Sequence, residues 1–131
     1  MRLRSHSGEV MNYESRLTIE SGTYPEVSYT IRRMSFGRRI ELTSRIHEYG
    51  GRMRRLDAGE DLSERVEAAL LSHEVEKLYL EWGLEEVRGI EIDGQAATPE
   101  LLIEAGPEAL VREIVARIQA ECRLSEDERK N

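Results

Sequence analysis

Arg16-Leu17-Thr18-Ile19-Glu20 and Val27-Ser28-Tyr29-Thr30-Ile31-Arg32, followed by Arg33-Met34-Ser35-Phe36-Gly37-Arg38, decide the fold, because the apolar period changes across them. Leu17 and Ile19 alternate with Arg16, Thr18 and Glu20, and Val27, Tyr29 and Ile31 alternate with Ser28, Thr30 and Arg32. A period of two with β-branched and aromatic residues predicts strands, and the intervening Ser21-Gly22-Thr23-Tyr24-Pro25 predicts a hairpin. From Ser35, a candidate N-cap, the period becomes that of a helix: Leu42, Ile46, Tyr49, Met53 and Leu56 recur at alternating steps of four and three. Gly50-Gly51 lies inside this stripe, where each glycine costs about 1 kcal/mol relative to alanine, so a kink or a break is expected there. Ala58-Gly59 ends the segment.

The rest of the chain is mostly helical in pattern. Leu62, Val66, Ala69, Leu70, Leu71, Val75, Leu78 and Trp82 give a second helix so wide an apolar face that neighbours on two sides are expected. Gly83 supplies its stop. Val87 to Ile92 alternates again, and Asp93-Gly94 predicts a tight turn into Gln95-Ala96. Thr98-Pro99 reads as an N-cap with proline at the first helical position, opening a short helix that stops at Gly106. After Pro107, Leu110, Val111, Ile114, Ile118 and Cys122 form the stripe of a last helix. The expected fold class is α+β and mainly helical: an N-terminal β-hairpin, three to four helices and a small second hairpin. Residues 1–14 read as a disordered arm, 15–124 as a single helix-rich domain and 125–131 as a disordered polar tail. Met11 is as good a start as Met1.

Composition narrows the function. With 131 residues the chain can bury roughly two-thirds of its unfolded surface, enough for one core. Aromatic residues are 5% of the chain, so the core must be aliphatic. No apolar run approaches the ~20 residues of a membrane span, and Met1-Arg2-Leu3-Arg4 leads into Ser5-His6-Ser7-Gly8-Glu9 rather than an apolar leader core. Cys122 is the single cysteine, which excludes an internal disulfide or a multi-cysteine zinc site. As it sits on an apolar stripe, it reads as a structural thiol rather than a nucleophile. Phosphate-loop, dinucleotide and nucleophile-elbow motifs are missing. His73-Glu74 begins like a zinc-protease helix, but Lys77 stands where the second histidine belongs, and His6 and His47 fall on other segments. No catalytic residue, metal or cofactor is assigned, and the sequence points away from an enzyme.

The net charge of −7 conceals a split. Residues 1–59 hold 11 Lys/Arg against 7 Asp/Glu, and residues 60–131 hold 8 against 19. Intramolecular pairing between the halves is the first reading, and an acidic partner or nucleic acid the alternatives. Arg38, Arg45, Arg52 and Arg55 share one face of the first helix. Glu41 and Glu48 precede Arg45 and Arg52 by four, the favourable order for ion pairs of about 0.3 kcal/mol each. A DNA-reading helix keeps such charges free and adds Asn or Gln for base edges. Trp82 reads as a plug over a helix end, with an exposed partner anchor as the alternative.

The order of segments carries a resemblance. A strand pair runs into Arg33-Met34-Ser35-Phe36-Gly37-Arg38-Arg39. Two helices follow, ending in Leu78-Tyr79-Leu80-Glu81-Trp82-Gly83-Leu84. Then come Gly89-Ile90-Glu91-Ile92-Asp93-Gly94, Ala97-Thr98-Pro99, Gly106-Pro107-Glu108, one more helix and the polar tail to Asn131. Over residues 15–131 this resembles phage and prophage tail assembly chaperones of long-tailed phages, in their short form. The resemblance implies a non-catalytic factor of the host cytoplasm, absent from the mature virion. It would bind the tape-measure protein and recruit tail-tube subunits; many chaperones of this type are made in two lengths, the longer by ribosomal frameshifting, and whether this chain has a longer form stays open. Candidate partner-binding residues are Arg38, Arg45, Arg52, Arg55, Met53 and Trp82, with Met34 and the second helix lining a groove. Each apolar one serves equally as monomer core. No membrane partner is expected, nucleic acid is disfavoured, and self-association into a homo-oligomer stays open. The alternatives are a small DNA-binding regulator using the arginine-rich helix and a structural tail or connector subunit.

Overall fold

The computed structural model describes the backbone of residues 9–57 and 62–130 and the side chains of residues 9–49 and 62–123. In chain order the elements are β1 (Arg16–Glu20), β2 (Ser28–Arg32), α1 (Phe36–Asp57), α2 (Leu62–Gly83), β3 (Leu84–Arg88), β4 (Glu91–Ile92), β5 (Gln95–Ala96), α3 (Pro99–Ala105) and α4 (Glu108–Lys130). The fold is α+β and mainly helical, with the hairpin leading, as the alternation at Leu17–Ile19 and Val27–Ile31 predicts. Ser35 caps α1, its Oγ accepting from the Arg38 amide at 3.3 Å. Thr98 caps α3 through the Leu101 amide at 3.1 Å. Asp93 and Gly94 both take positive φ, the geometry a two-residue hairpin turn needs between β4 and β5.

Three local expectations change. The backbone of α1 is one continuous helix through Gly50-Gly51 to Asp57, so the glycine pair does not divide it. The polar segment from Ser125, expected to fray, continues α4 as helical backbone to Lys130. The strand expected from Val87 begins earlier, at Leu84, immediately after Gly83 closes α2. It joins the N-terminal hairpin to give a three-stranded antiparallel sheet of order β1-β2-β3, with Tyr29 opposite Val87 and Ile31 opposite Leu84. Single-sequence periodicity cannot see this pairing, because its partners lie more than fifty residues apart.

One face of the sheet makes the core. Tyr29, Ile31, Leu84 and Val87 pack with Leu102 of α3 and with Leu110, Ile114, Val115 and Ile118 of α4. Leu42, Leu80 and Trp82 close it at the base of the helical pair. The opposite face of the sheet is polar, with Thr18 Oγ1 2.9 Å from Thr30 Oγ1 across the strands. Two glycines allow close approaches. A Cβ on Gly83 would stand 3.0 Å from the Ile118 side chain, where α4 crosses the end of α2. Gly89, at φ +86, lies so close to the Glu26 carbonyl that a Cβ would come within 2.0 Å of its oxygen.

A single carboxylate joins the hairpin to α4. Glu113 Oε1 accepts from Ser21 Oγ at 2.8 Å and the Thr23 amide at 3.3 Å. Its Oε2 accepts from Tyr29 Oη at 2.8 Å and the Gly22 amide at 3.2 Å. Ser21 Oγ in turn accepts from the amides of Thr23 and Tyr24, so the turn between β1 and β2 is organised around the buried Ser21 hydroxyl and the part-buried Glu113 carboxylate. Burial pushes the Glu113 carboxyl up, but the hydrogen bonds from Ser21, Tyr29, Thr23 and Gly22 outweigh it and hold the group below the ordinary carboxylate range. Burial first, and Glu113 second, push the Tyr29 phenol well above its ordinary value.

Because the folded value of Glu113 lies below the unfolded one, its contribution is complete above the ordinary carboxylate range. It is lost as pH falls through the folded value. Glu113→Gln cannot accept at its amide nitrogen and leaves two donors unmet, a loss of about 1–3 kcal/mol at neutral pH. Urea unfolding measured from neutral pH down into the acid range should show the variant less stable at pH 7. The gap to the parent should narrow as acid protonates Glu113.

Candidate functional site

The candidate residues of the first helix separate into three groups. Arg38 turns inward. Its guanidinium lies 4.3 Å from the centroid of the Trp82 ring, and one Nη donates to the Trp82 carbonyl. Burial, then the nearby Arg32, lowers the Arg38 pKa from its ordinary value. Arg45 stays exposed and stands 3.7 Å from Glu41, the i,i+4 pair that the spacing predicts. Arg52, Met53 and Arg55, with the Glu48–Arg52 pair, lie outside the residues whose side chains are described.

Trp82 is buried, 5% exposed, in the core cluster. It is the plug over the end of α2, covered by Arg38, and offers no surface to a partner. Met34 is likewise core, at 7%. Cys122 is half-buried against the same cluster, and burial raises its thiol pKa, which keeps the nucleophilic thiolate scarce at neutral pH. Among the described residues no group of three or more His, Cys, Asp or Glu is placed to hold a metal ion. Among the described residues no helix is long and apolar enough to cross a membrane.

The two charged halves of the chain meet. Arg16 and Arg32 converge on Glu85, Arg32 Nε at 3.3 Å, and the Arg16 hydrogen bond holds that carboxyl below its ordinary range. Arg33 reaches Glu121 at 3.3 Å and lies 5.3 Å from the Tyr13 ring. Glu85 is therefore the centre of a cross-strand arginine pair.

What α2 leaves bare is the candidate site. Ala68, Leu71 and Leu78 are buried, consistent with the packing of α1 along α2. On the other side of α2, Leu62, Val66 and Leu70 recur at i, i+4 and i+8 and are 73%, 52% and 58% exposed. At 3.6 residues per turn, Leu80 falls on the same face as Leu62, five turns along, yet it is 3% exposed. The difference is cover. α4 lies beside only the second half of α2, with Arg112 Nη1 3.5 Å from Glu76 and Ile118 against Gly83. Since α4 begins at Glu108, the first turns of α2 project beyond it. No family model, curated protein or solved structure matches the chain.

The sequence identified this face but expected it covered on two sides. Its exposure depends on where α4 starts relative to α2, which no pattern within α2 contains. Near the base of α2, a cleft of about 420 Å³ opens between α2 and α3, lined by Lys77, Glu81, Leu84, Pro99, Glu100, Ile103 and Glu104.

As Trp82 is the only tryptophan, the emission reports the surroundings of this one ring, of which Arg38 is a part. Arg38→Ala removes the cation over the ring and a hydrogen bond to a carbonyl, together about 1–2 kcal/mol. The expected outcome is an altered tryptophan emission maximum and a lowered unfolding midpoint. Arg38→Lys should restore charge without restoring the emission.

Proposed function

We propose that this chain is a non-catalytic tail assembly chaperone of a long-tailed phage or prophage, which binds the tape-measure protein and recruits tail-tube subunits to it. The reading rests on the order of segments quoted above, and one structural observation supports it: the bare Leu62-Val66-Leu70 stripe on a projecting helix. An apolar stripe standing in water on a small domain marks an interaction surface. A chaperone for a long helical protein needs such a face to shield its client's apolar stripe until assembly removes the client from solution. The host cytoplasm is the compartment that this role requires.

The DNA-regulator reading finds less support, because Arg38 is engaged with Trp82 and Arg45 stands near Glu41. Co-expression with the tape-measure and tail-tube proteins encoded nearby tests the proposal. The tape-measure protein is expected to co-purify with the chain and to be lost from the Val66→Glu variant. Failure to bind either protein, or persistence of the chain in purified virions as a structural tail subunit would, overturns it.

A further inference from the structure

The Leu62-Val66-Leu70 stripe spans about 12 Å of α2, and its two flanks differ in charge. On one flank Glu67, Glu74 and Glu81 recur at intervals of seven, so they form a column along about 21 Å of the helix. All three are exposed, and none has a hydrogen-bond or ion-pair partner among the described residues. Glu76 and Glu108, by contrast, have partners: Glu76 meets His73 at 3.1 Å and Arg112 at 3.5 Å, and Glu108 meets Arg112 at 3.0 Å. At its lower end the column reaches Glu81 at the α2–α3 cleft, whose rim adds Glu100 and Glu104. Arg65 stands on the opposite flank, and Lys77 lies three residues after Glu74 and four before Glu81 on the same helix, with no ion pair to either.

We infer that the bare face of α2 docks a basic amphipathic helix, with the partner's apolar stripe on Leu62, Val66 and Leu70 and its Lys or Arg residues along Glu67, Glu74 and Glu81. The inference rests on the reading of this face as a docking surface and adds the chemistry of the occupant. An apolar stripe at helical spacing accepts the apolar face of another helix in ridge-and-groove packing. The unneutralised carboxylates beside it favour a cation-bearing flank and repel nucleic acid and anionic lipid. A second copy of the chain fits less well. In an antiparallel two-fold pair each flank meets its own counterpart, which sets the two glutamate columns against each other. The one-sided charge also fixes the direction in which the partner lies.

The test uses the full chain and two amphipathic helical peptides of about five turns, identical in their leucine stripe and carrying lysines or glutamates on the flank. Binding is read by fluorescence anisotropy at low and moderate salt, and oligomeric state by light scattering. The lysine peptide is expected to bind, to weaken with salt, and to be lost with Val66→Glu. The Glu67→Lys/Glu74→Lys/Glu81→Lys variant, whose exposed positions leave the fold intact, should weaken it roughly tenfold and gain the glutamate peptide. Circular dichroism of both variants verifies folding.

Equal binding of both peptides would overturn the charge inference and leave the docking surface standing. Binding of neither would overturn both. A dimer of the free chain that Val66→Glu dissociates would assign the stripe to a second copy and overturn the inference. Retention of the tape-measure protein by the triple-lysine variant would separate the two proposals, sustaining the chaperone reading while removing the basic-helix one.

Discussion

The pairing of Ile31 with Leu84 constrains everything else. The chain leaves the sheet after Arg32 and must return beside it at Leu84, so what lies between has to double back on itself. Two helices of 22 residues each meet that requirement. At 1.5 Å per residue each is about 33 Å long, and α4, which is as long, is offset along α2 and leaves its first turns uncovered. The base of the pair is therefore core, where Leu42, Leu80 and Trp82 are buried, and the far end of α2 stands out from it. The exposure of Leu62, Val66 and Leu70 follows from this register and not from any local weakness in α2.

A second constraint acts at the other end of the sheet. Glu113 collects two hydroxyls and two backbone amides from the hairpin, which ties α4 to the turn between β1 and β2. With α4 fixed there and against Gly83, its start at Glu108 falls level with the middle of α2. The arginines of the first half follow the same geometry: Arg16, Arg32 and Arg33 find carboxylates on β3 and α4 because the fold brings those elements alongside. On α2, Glu67, Glu74 and Glu81 are left as an exposed column.

Patterns confined to one element were legible in the sequence. The alternation at Leu17–Ile19 and Val27–Ile31, the caps at Ser35 and Thr98, the Asp93-Gly94 turn and the stripe of α4 each depend on neighbours within a few residues. Relations between distant elements were not. Glu113 looks like any surface glutamate of a helix until the hairpin turn is placed against it. Glu85 looks solvated until β3 is paired. Trp82 was readable both ways, and Arg38 decides it by lying over the ring. Of the candidate binding residues, Arg38 and Trp82 turn out to hold the fold, Arg45 stays on the surface, and the face with most to offer a partner was legible only as too wide for one neighbour.

The doubled-back helical pair also separates two kinds of evolutionary freedom. Its two ends are fixed to adjacent strands, but its length is not fixed by the sheet, since whole turns added to or removed from α1 and α2 together leave the β2–β3 register untouched. The body, with Gly83, Gly89 and Glu113 in close contacts, tolerates little change. The reach of the projecting arm is thus a quantity that can drift in steps of about 5.4 Å per turn, independently of the architecture that carries it.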